Sequence, residues 1–145
     1  MSCPFCDLIN HPDDPHVIEV GAHTSVLLDR APVFLGHALI VPTAHVEHLL
    51  VADPEVVIEV MRRSQEVAIA AMDAYRADGI LTVTNTIVSQ SVPHLHVHVI
   101  ARHQGDGGLR GFLWPRKRYS SQEELLEYRD RLRGSLVGRS PYASD

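Results

Sequence analysis

The sequence predicts an α+β fold: an antiparallel sheet of about five strands with one long helix and a C-terminal helix. Three observations carry this. Short apolar segments punctuated by Gly and Pro recur up to residue 42 and again after residue 79. One long stretch between them has helical periodicity. The order strands, helix, strands, helix then suggests a sheet with its helices on one face.

Residues 1–16 read as loop, crowded with prolines and Asp-Pro turns. Val17–Val20 is a short strand ended by Gly21. Thr24–Asp29 is a second, followed by an Ala31-Pro32 turn. Gly36 opens a third, His37–Val41, which Pro42 stops. Asp53 suits an N-cap, Pro54 the first helical position and Glu55 the helix dipole. The spacing predicts a helix over 54–77, with Val57, Val60, Met61, Ser64, Val67, Ala68, Ala71, Met72 and Tyr75 on one face. That face is mostly core, and the small-residue part from Val67 to Met72 is compatible with a dimer seam. Gly79 reads as the glycine that ends the helix.

Ile80–Thr84 is the next strand, and Asn85–Val92 a polar connection. Pro93 leads into an extended segment over 94–101. Gln104–Gly111 is a flexible loop. Ser120 or Ser121 caps a charged helix running to about Arg133.

At 145 residues the chain reads as one domain, 1–145. Its net charge of −5 excludes a broad basic footprint, so nucleic acid is not an expected partner and phosphate contacts must come from a few local groups. No apolar run has transmembrane length and no leader is evident, which points to the cytoplasm and to no membrane partner. Cys3 and Cys6 form a C-x-x-C, in a reducing compartment more often metal or redox chemistry than a disulfide.

The most informative stretch is Ser91–Arg102, SVPHLHVHVIAR. In a strand, residues i, i+2 and i+4 share a face. His94, His96 and His98 then form a row, while Leu95, Val97 and Val99 turn to the other side. Such a row could be structural, could bind a metal, or could perform phosphate chemistry. The outer pair are about 13 Å apart at Cα, so all three converging on one ion would need a bulge. A neutral imidazole attacks phosphorus well, and its neighbours can stabilise the developing charge. In that reading His96 attacks, His98 contacts the phosphoryl oxygens or leaving group, and the His94 carbonyl holds the Nδ1 proton of His96.

The run His94-Leu95-His96-Val97-His98-Val99-Ile100 resembles the histidine triad motif of the HIT superfamily of nucleotide hydrolases and transferases. Further blocks, in family order across residues 3–102, resemble the same family: Cys3-Pro4-Phe5-Cys6, Leu28-Asp29 with Pro32, Gly36-His37 through Pro42 with His45, and Gln90-Ser91-Val92. Residues 103–145 form a less diagnostic C-terminal loop and helix.

The resemblance implies a HIT-like fold. It also implies hydrolysis or transfer at the α-phosphate of nucleoside phosphoramidates or dinucleoside polyphosphates through a covalent nucleotidyl-His96. His94, His98, Gln90 and Ser91 would complete the catalytic group. Gln90, Ser91 and His98 would also bind the substrate phosphate, and His37 would support the site. Asp29 would hold the ribose hydroxyls, although a turn-forming role accounts for it too. Phe5, Leu8 and Leu27 would line the pocket for a purine base, and Asn85 would reach ribose or phosphate from a shifted position. Cys3, Cys6, His45 and His94 would bind a structural zinc, with His48 as a competing ligand; the chemistry itself needs no cofactor. A homodimer is implied. Ser89 departs from the family by standing where many members have Gly. Trp114 would approach a neighbouring subunit or anchor the tail, and the basic run Arg116, Lys117, Arg118 would be solvated or meet a polyphosphate leaving group. Two other functions remain open from sequence: a nucleotide-binding regulatory module with little turnover, and a metal-dependent hydrolase using the histidine row as ligands.

Overall fold

The structure is a computed structural model, describing residues 2–107 and 117–137. Its elements are α1 (Pro4–Ile9), β1 (Val17–Val20), β2 (Thr24–Leu28), β3 (Ala38–Pro42), a 3-10 turn (Leu49–Val51), α2 (Pro54–Tyr75), β4 (Gly79–Val83), β5 (Val97–Arg102) and α3 (Gln122–Leu136). The five strands make one antiparallel sheet in the order β1-β2-β3-β5-β4. The α+β class and the five-stranded sheet are those expected. Among the described residues no helix is long and apolar enough to cross a membrane.

One face of the sheet packs against α2 and α3. Ile18, Val26, Ile40, Val97 and Val99 meet Val60, Val67, Ala71, Leu125 and Leu132 there. The other face was not expected to carry a helix, but α1 lies on it. Phe5 and Leu8 pack there with Val17, Leu27, Leu39 and Val41. β2 and β3 are therefore buried on both sides, in keeping with the apolar runs Val26–Leu28 and Ala38–Val41, and the buried Ser25 hydroxyl is satisfied by Thr43 Oγ1 at 2.9 Å. Residues 4–9 differ from the loop expected of residues 1–16; six residues are too few to show a helical period. The local signals of α1 are few: Pro4 and Asp7 in the first turn and the buried pair Phe5 and Leu8, three apart.

Other boundaries move for identifiable reasons. α2 stops at Tyr75, not residue 77, because Arg76 adopts the left-handed conformation (φ 49°) and Ala77 N–H closes back on the Met72 carbonyl at 3.0 Å. Gly79 is thus the first residue of β4, not a helix stop. Asp53 occupies the N-cap position, but its side chain makes no capping bond. Met61 and Met72, placed on the core face from sequence, are 50% and 36% exposed, while Ala70 is buried. Ser121 caps α3 by accepting the Glu124 N–H at 3.1 Å, and the helix runs past Arg133 so that Leu136 reaches the core. The ladder of β5 begins at Val97 rather than residue 94. Upstream, Leu95 N–H donates to the Val46 carbonyl at 2.6 Å and Thr84 Oγ1 donates to the His96 carbonyl at 2.7 Å. Trp114 and Arg116 lie outside the described residues.

Gly36 sits where the loop before β3 passes beneath α2 and α3. Its φ is +87°, and a Cβ there would overlap the Tyr75 ring. Gly36→Ala should therefore cost roughly 2–4 kcal/mol from left-handed strain and overpacking. Denaturant unfolding of the variant checks this; a change below about 0.5 kcal/mol would contradict the packing described.

Candidate active site

Alternation along 94–98 puts the three imidazoles on the α1 side of the sheet, 0%, 3% and 9% exposed. Each ring is fixed by a group that admits only one tautomer. The Pro42 carbonyl, 2.8 Å from His94 Nε2, can only accept, so Nε2 carries the proton and Nδ1 is bare. The His94 carbonyl lies 2.7 Å from His96 Nδ1, so that nitrogen carries the proton and Nε2 keeps its lone pair. The Val33 N–H donates to His37 Nδ1 at 3.1 Å, so the neutral His37 ring holds its proton on Nε2 and donates to His98 Nδ1 at 2.8 Å. His98 then presents an N–H at Nε2. A bare ring nitrogen and a hydrogen-bond donor thus stand side by side, with ring centroids 4.8 Å apart.

Burial keeps these rings neutral. It pushes His94 and His96 below the usual imidazole value. It pushes His98 down to about 3, with His37 and His96 adding repulsion. It also lowers His37, outweighing the Asp29 carboxylate 3.7 Å away.

His96 and His98 open into a cleft with Ser91, Val92, Asp29, Arg30, Phe5 and Leu8 on its walls. Phe5 meets the His96 ring edge-on at 5.1 Å. Asp29 serves two ends: Oδ1 accepts the Ala31 N–H at 2.8 Å and makes the turn, while the residue also lines the cleft. Not every expected residue arrives there. Leu27 is fully buried behind Phe5 and Leu8, and Leu28 and Leu39 line the cleft in its place. Asn85 does not line it. Neither does Gln90, whose amide accepts the Ile87 N–H at 2.9 Å and donates to the Glu47 carbonyl at 2.7 Å. The loop before the triad is held in a conformation that favours glycine: Ile87 has φ 66° and Ser89 φ 62°. Arg30, Thr84 and the Val33 N–H are contributors that no sequence motif marked.

Behind the row, Cys3, Cys6, His45 and His94 place one ligand atom each within 4.8 Å of one another. The bare His94 Nδ1 lies 3.3 Å from Cys3 Sγ and 3.6 Å from Cys6 Sγ, and His45 Nδ1 lies 3.4 Å from Cys6 Sγ. His48 is not in the group. Burial and the neighbouring Cys3 thiol push Cys6 up to about 11, a bias that a bound cation would reverse. Asp29, His37 and His98 form a second group of potential ligands. His96 belongs to neither, so the row does not converge on one ion.

The buried neutral rings link stability to pH. An unfolded histidine protonates near 6.5, whereas folded His98 stays neutral until about 3. The contribution is complete above pH 6.5 and declines as pH falls toward 3. Thermal melts between pH 7 and 4 should show a falling Tm, with a shallower dependence in His98→Asn. Identical slopes in the two proteins would contradict the assignment.

A family model described as HIT domain matches residues 13–105. The adenosine 5′-monophosphoramidase hnt1 of Schizosaccharomyces pombe is 30% identical over 125 residues, covering 85% of this chain and 90% of that one. A hypothetical histidine triad nucleotide-binding protein from Sulfolobus tokodaii has a similar structure, with a TM-score of 0.80, 31% identity and coverage of 92% of this chain and 91% of that one. A Zn-bound histidine triad family protein from Mycobacterium smegmatis superposes with a TM-score of 0.79, 29% identity and 94% coverage of each chain. With its triad, its sheet and its sequence in agreement, the chain belongs to the HIT superfamily, a group of nucleotide-binding proteins and hydrolases.

Proposed function

We propose that this chain is a nucleotide hydrolase or nucleotidyltransferase acting on nucleoside phosphoramidates or dinucleoside polyphosphates. The carrying observation is the pair of contacts that sets opposite tautomers, the His94 carbonyl on His96 Nδ1 and His37 Nε2 on His98 Nδ1, which leave His96 Nε2 its lone pair and His98 Nε2 its hydrogen. The Nε2 lone pair forms a bond to the α-phosphorus as the bond to the leaving group breaks, and the leaving group departs with the bonding pair and takes a proton from solvent. The His94 carbonyl supports the positive charge that His96 then carries, through its 2.7 Å contact with Nδ1. His98 and the Ser91 hydroxyl donate to phosphoryl oxygens, where charge accumulates. Water then attacks phosphorus and gives up a proton to solvent, the N–P bond breaks, His96 recovers its lone pair and a nucleoside monophosphate departs. A transferase would accept another nucleophile at that step.

Asp29 holds the ribose hydroxyls in this reading, and Phe5 and Leu8 with Leu39 hold a purine base. Gln90 reaches the phosphate only by leaving its backbone partners. His37 keeps His98 in the donor tautomer. The name of the fission yeast relative, an adenosine 5′-monophosphoramidase, supports this substrate class.

Cys3, Cys6, His45 and His94 hold a structural zinc in the same reading. Two thiolates and two imidazoles satisfy a tetrahedral ion and leave no open position for chemistry. The Zn-bound mycobacterial structure supports this. A homodimer in this reading agrees with the exposed apolar side chains of Ile58, Met61, Ile69 and Met72 along α2.

Incubation with labelled adenosine 5′-phosphoramidate and a basic quench should trap a nucleotidyl adduct on the wild type. His96→Ala should lose both adduct and turnover, by at least about a thousandfold. An unmodified wild type, or turnover that survives in His96→Ala, would reject the mechanism. Chelation should lower Tm while turnover initially persists; activity lost at once with Tm unchanged would reject a structural metal.

A further inference from the structure

Next to Asp29 the surface carries charge that the reaction at His96 does not use. A groove of about 540 Å³ opens there, lined by His16, Arg30, Lys117, Arg118, Tyr119 and Gln122 among others. Arg30 belongs to both this groove and the catalytic cleft, so the two adjoin. The cleft itself encloses only about 170 Å³. That is below the roughly 300–1,000 Å³ of ordinary small-molecule sites, so a bound nucleotide must extend past the rim.

The backbone fixes where these cations sit. Lys117 N–H donates to the Pro32 carbonyl at 2.7 Å, and the Tyr119 hydroxyl accepts the Gly36 N–H at 3.0 Å. These bonds staple residues 117–119 along the loop before β3 and set Lys117 and Arg118 beside Arg30. Arg30 has a loose partner, Asp14 Oδ2 at 3.7 Å. Among the described residues, Lys117 and Arg118 make no ion pair and no acidic side chain lines the groove. In a chain of net charge −5, Lys117 and Arg118 beside Arg30 form a local cluster of positive charge, with Asp14 facing Arg30 and Asp29 and Glu124 near Tyr119 at its edge.

The geometry points to a subsite for a second phosphate group of the nucleotide, remote from the phosphorus that His96 attacks. This rests on the nucleotide reading above. A guanidinium fork and an ammonium group suit phosphate oxygens. Asp29 decides where that phosphate is attached. Its carboxylate lies within 4.8 Å of the His98 ring nitrogen and directly precedes Arg30. A phosphate chain running from His98 to the groove would pass this negative charge, whereas sugar hydroxyls would bond to it. The order His98, Asp29, Arg30 therefore fits a phosphate on the ribose better than the distal phosphates of a polyphosphate.

Calorimetric titration of the whole chain with AMP, adenosine 3′,5′-bisphosphate and adenosine 5′-tetraphosphate tests this, on wild type and on Lys117→Ala/Arg118→Ala. The bisphosphate should bind the wild type at least about tenfold more tightly than AMP. The double substitution should erase that preference and leave AMP affinity unchanged. A preference for the tetraphosphate instead, lost in the same variant, would keep the subsite and place its phosphate on the 5′ chain. Equal affinities in the wild type, or a preference that survives the double substitution, would overturn the subsite alone. Failure of the wild type to bind any of the three would overturn the nucleotide reading itself.

Discussion

The site depends on backbone groups that can act in only one sense. A carbonyl accepts and an amide N–H donates, so an imidazole pinned to either has its proton placed for it. Pro42 pins His94, His94 pins His96, and Val33 pins His98 through His37. The result alternates along the row: the proton sits on Nε2 at His94, on Nδ1 at His96 and on Nε2 at His98. Burial then keeps each ring neutral, so near neutral pH His96 Nε2 keeps its lone pair and His98 Nδ1 keeps accepting from His37.

The same row ties the chemistry to the N-terminus. His94 offers its carbonyl to His96 and its bare Nδ1 to Cys3 and Cys6. Those cysteines flank Phe5, whose ring meets both His94 and His96. The short helix α1 therefore fixes the apolar wall of the cleft and the ligand group together. A six-residue helix has little stability of its own; its buried Phe5 and Leu8 and its neighbours at His45 and His94 hold it.

Much of this was legible in sequence. Period-two histidines with valines between them specify both a strand and a single polar face, and punctuation by Gly and Pro delimited most strands. α1 was not legible, because one helical turn carries no periodicity and its stability is tertiary. The end of α2 was missed because Arg76, not a glycine, takes the left-handed position. The positions of Leu27 and Gln90 were beyond pattern reading: alternation puts Leu27 on the α1 face but does not say that α1 covers it, and Gln90 is bonded to carbonyl and amide groups, one of them 43 residues away in sequence. Ser89 was visible as a departure from a family glycine, and its φ of 62° gives that departure a physical meaning. The basic groove was half visible, as a run of cations whose anchors, Pro32 and Gly36, lie far back in the chain.

Nitrogen NMR of the histidine-labelled protein near neutral pH tests the central claim most directly, because it reads the protonation of each ring nitrogen. The structure predicts neutral rings of opposite tautomer at adjacent positions, with a bare Nε2 on His96 and a protonated Nε2 on His98. A proton on His96 Nε2, or an imidazolium at either residue, would contradict it.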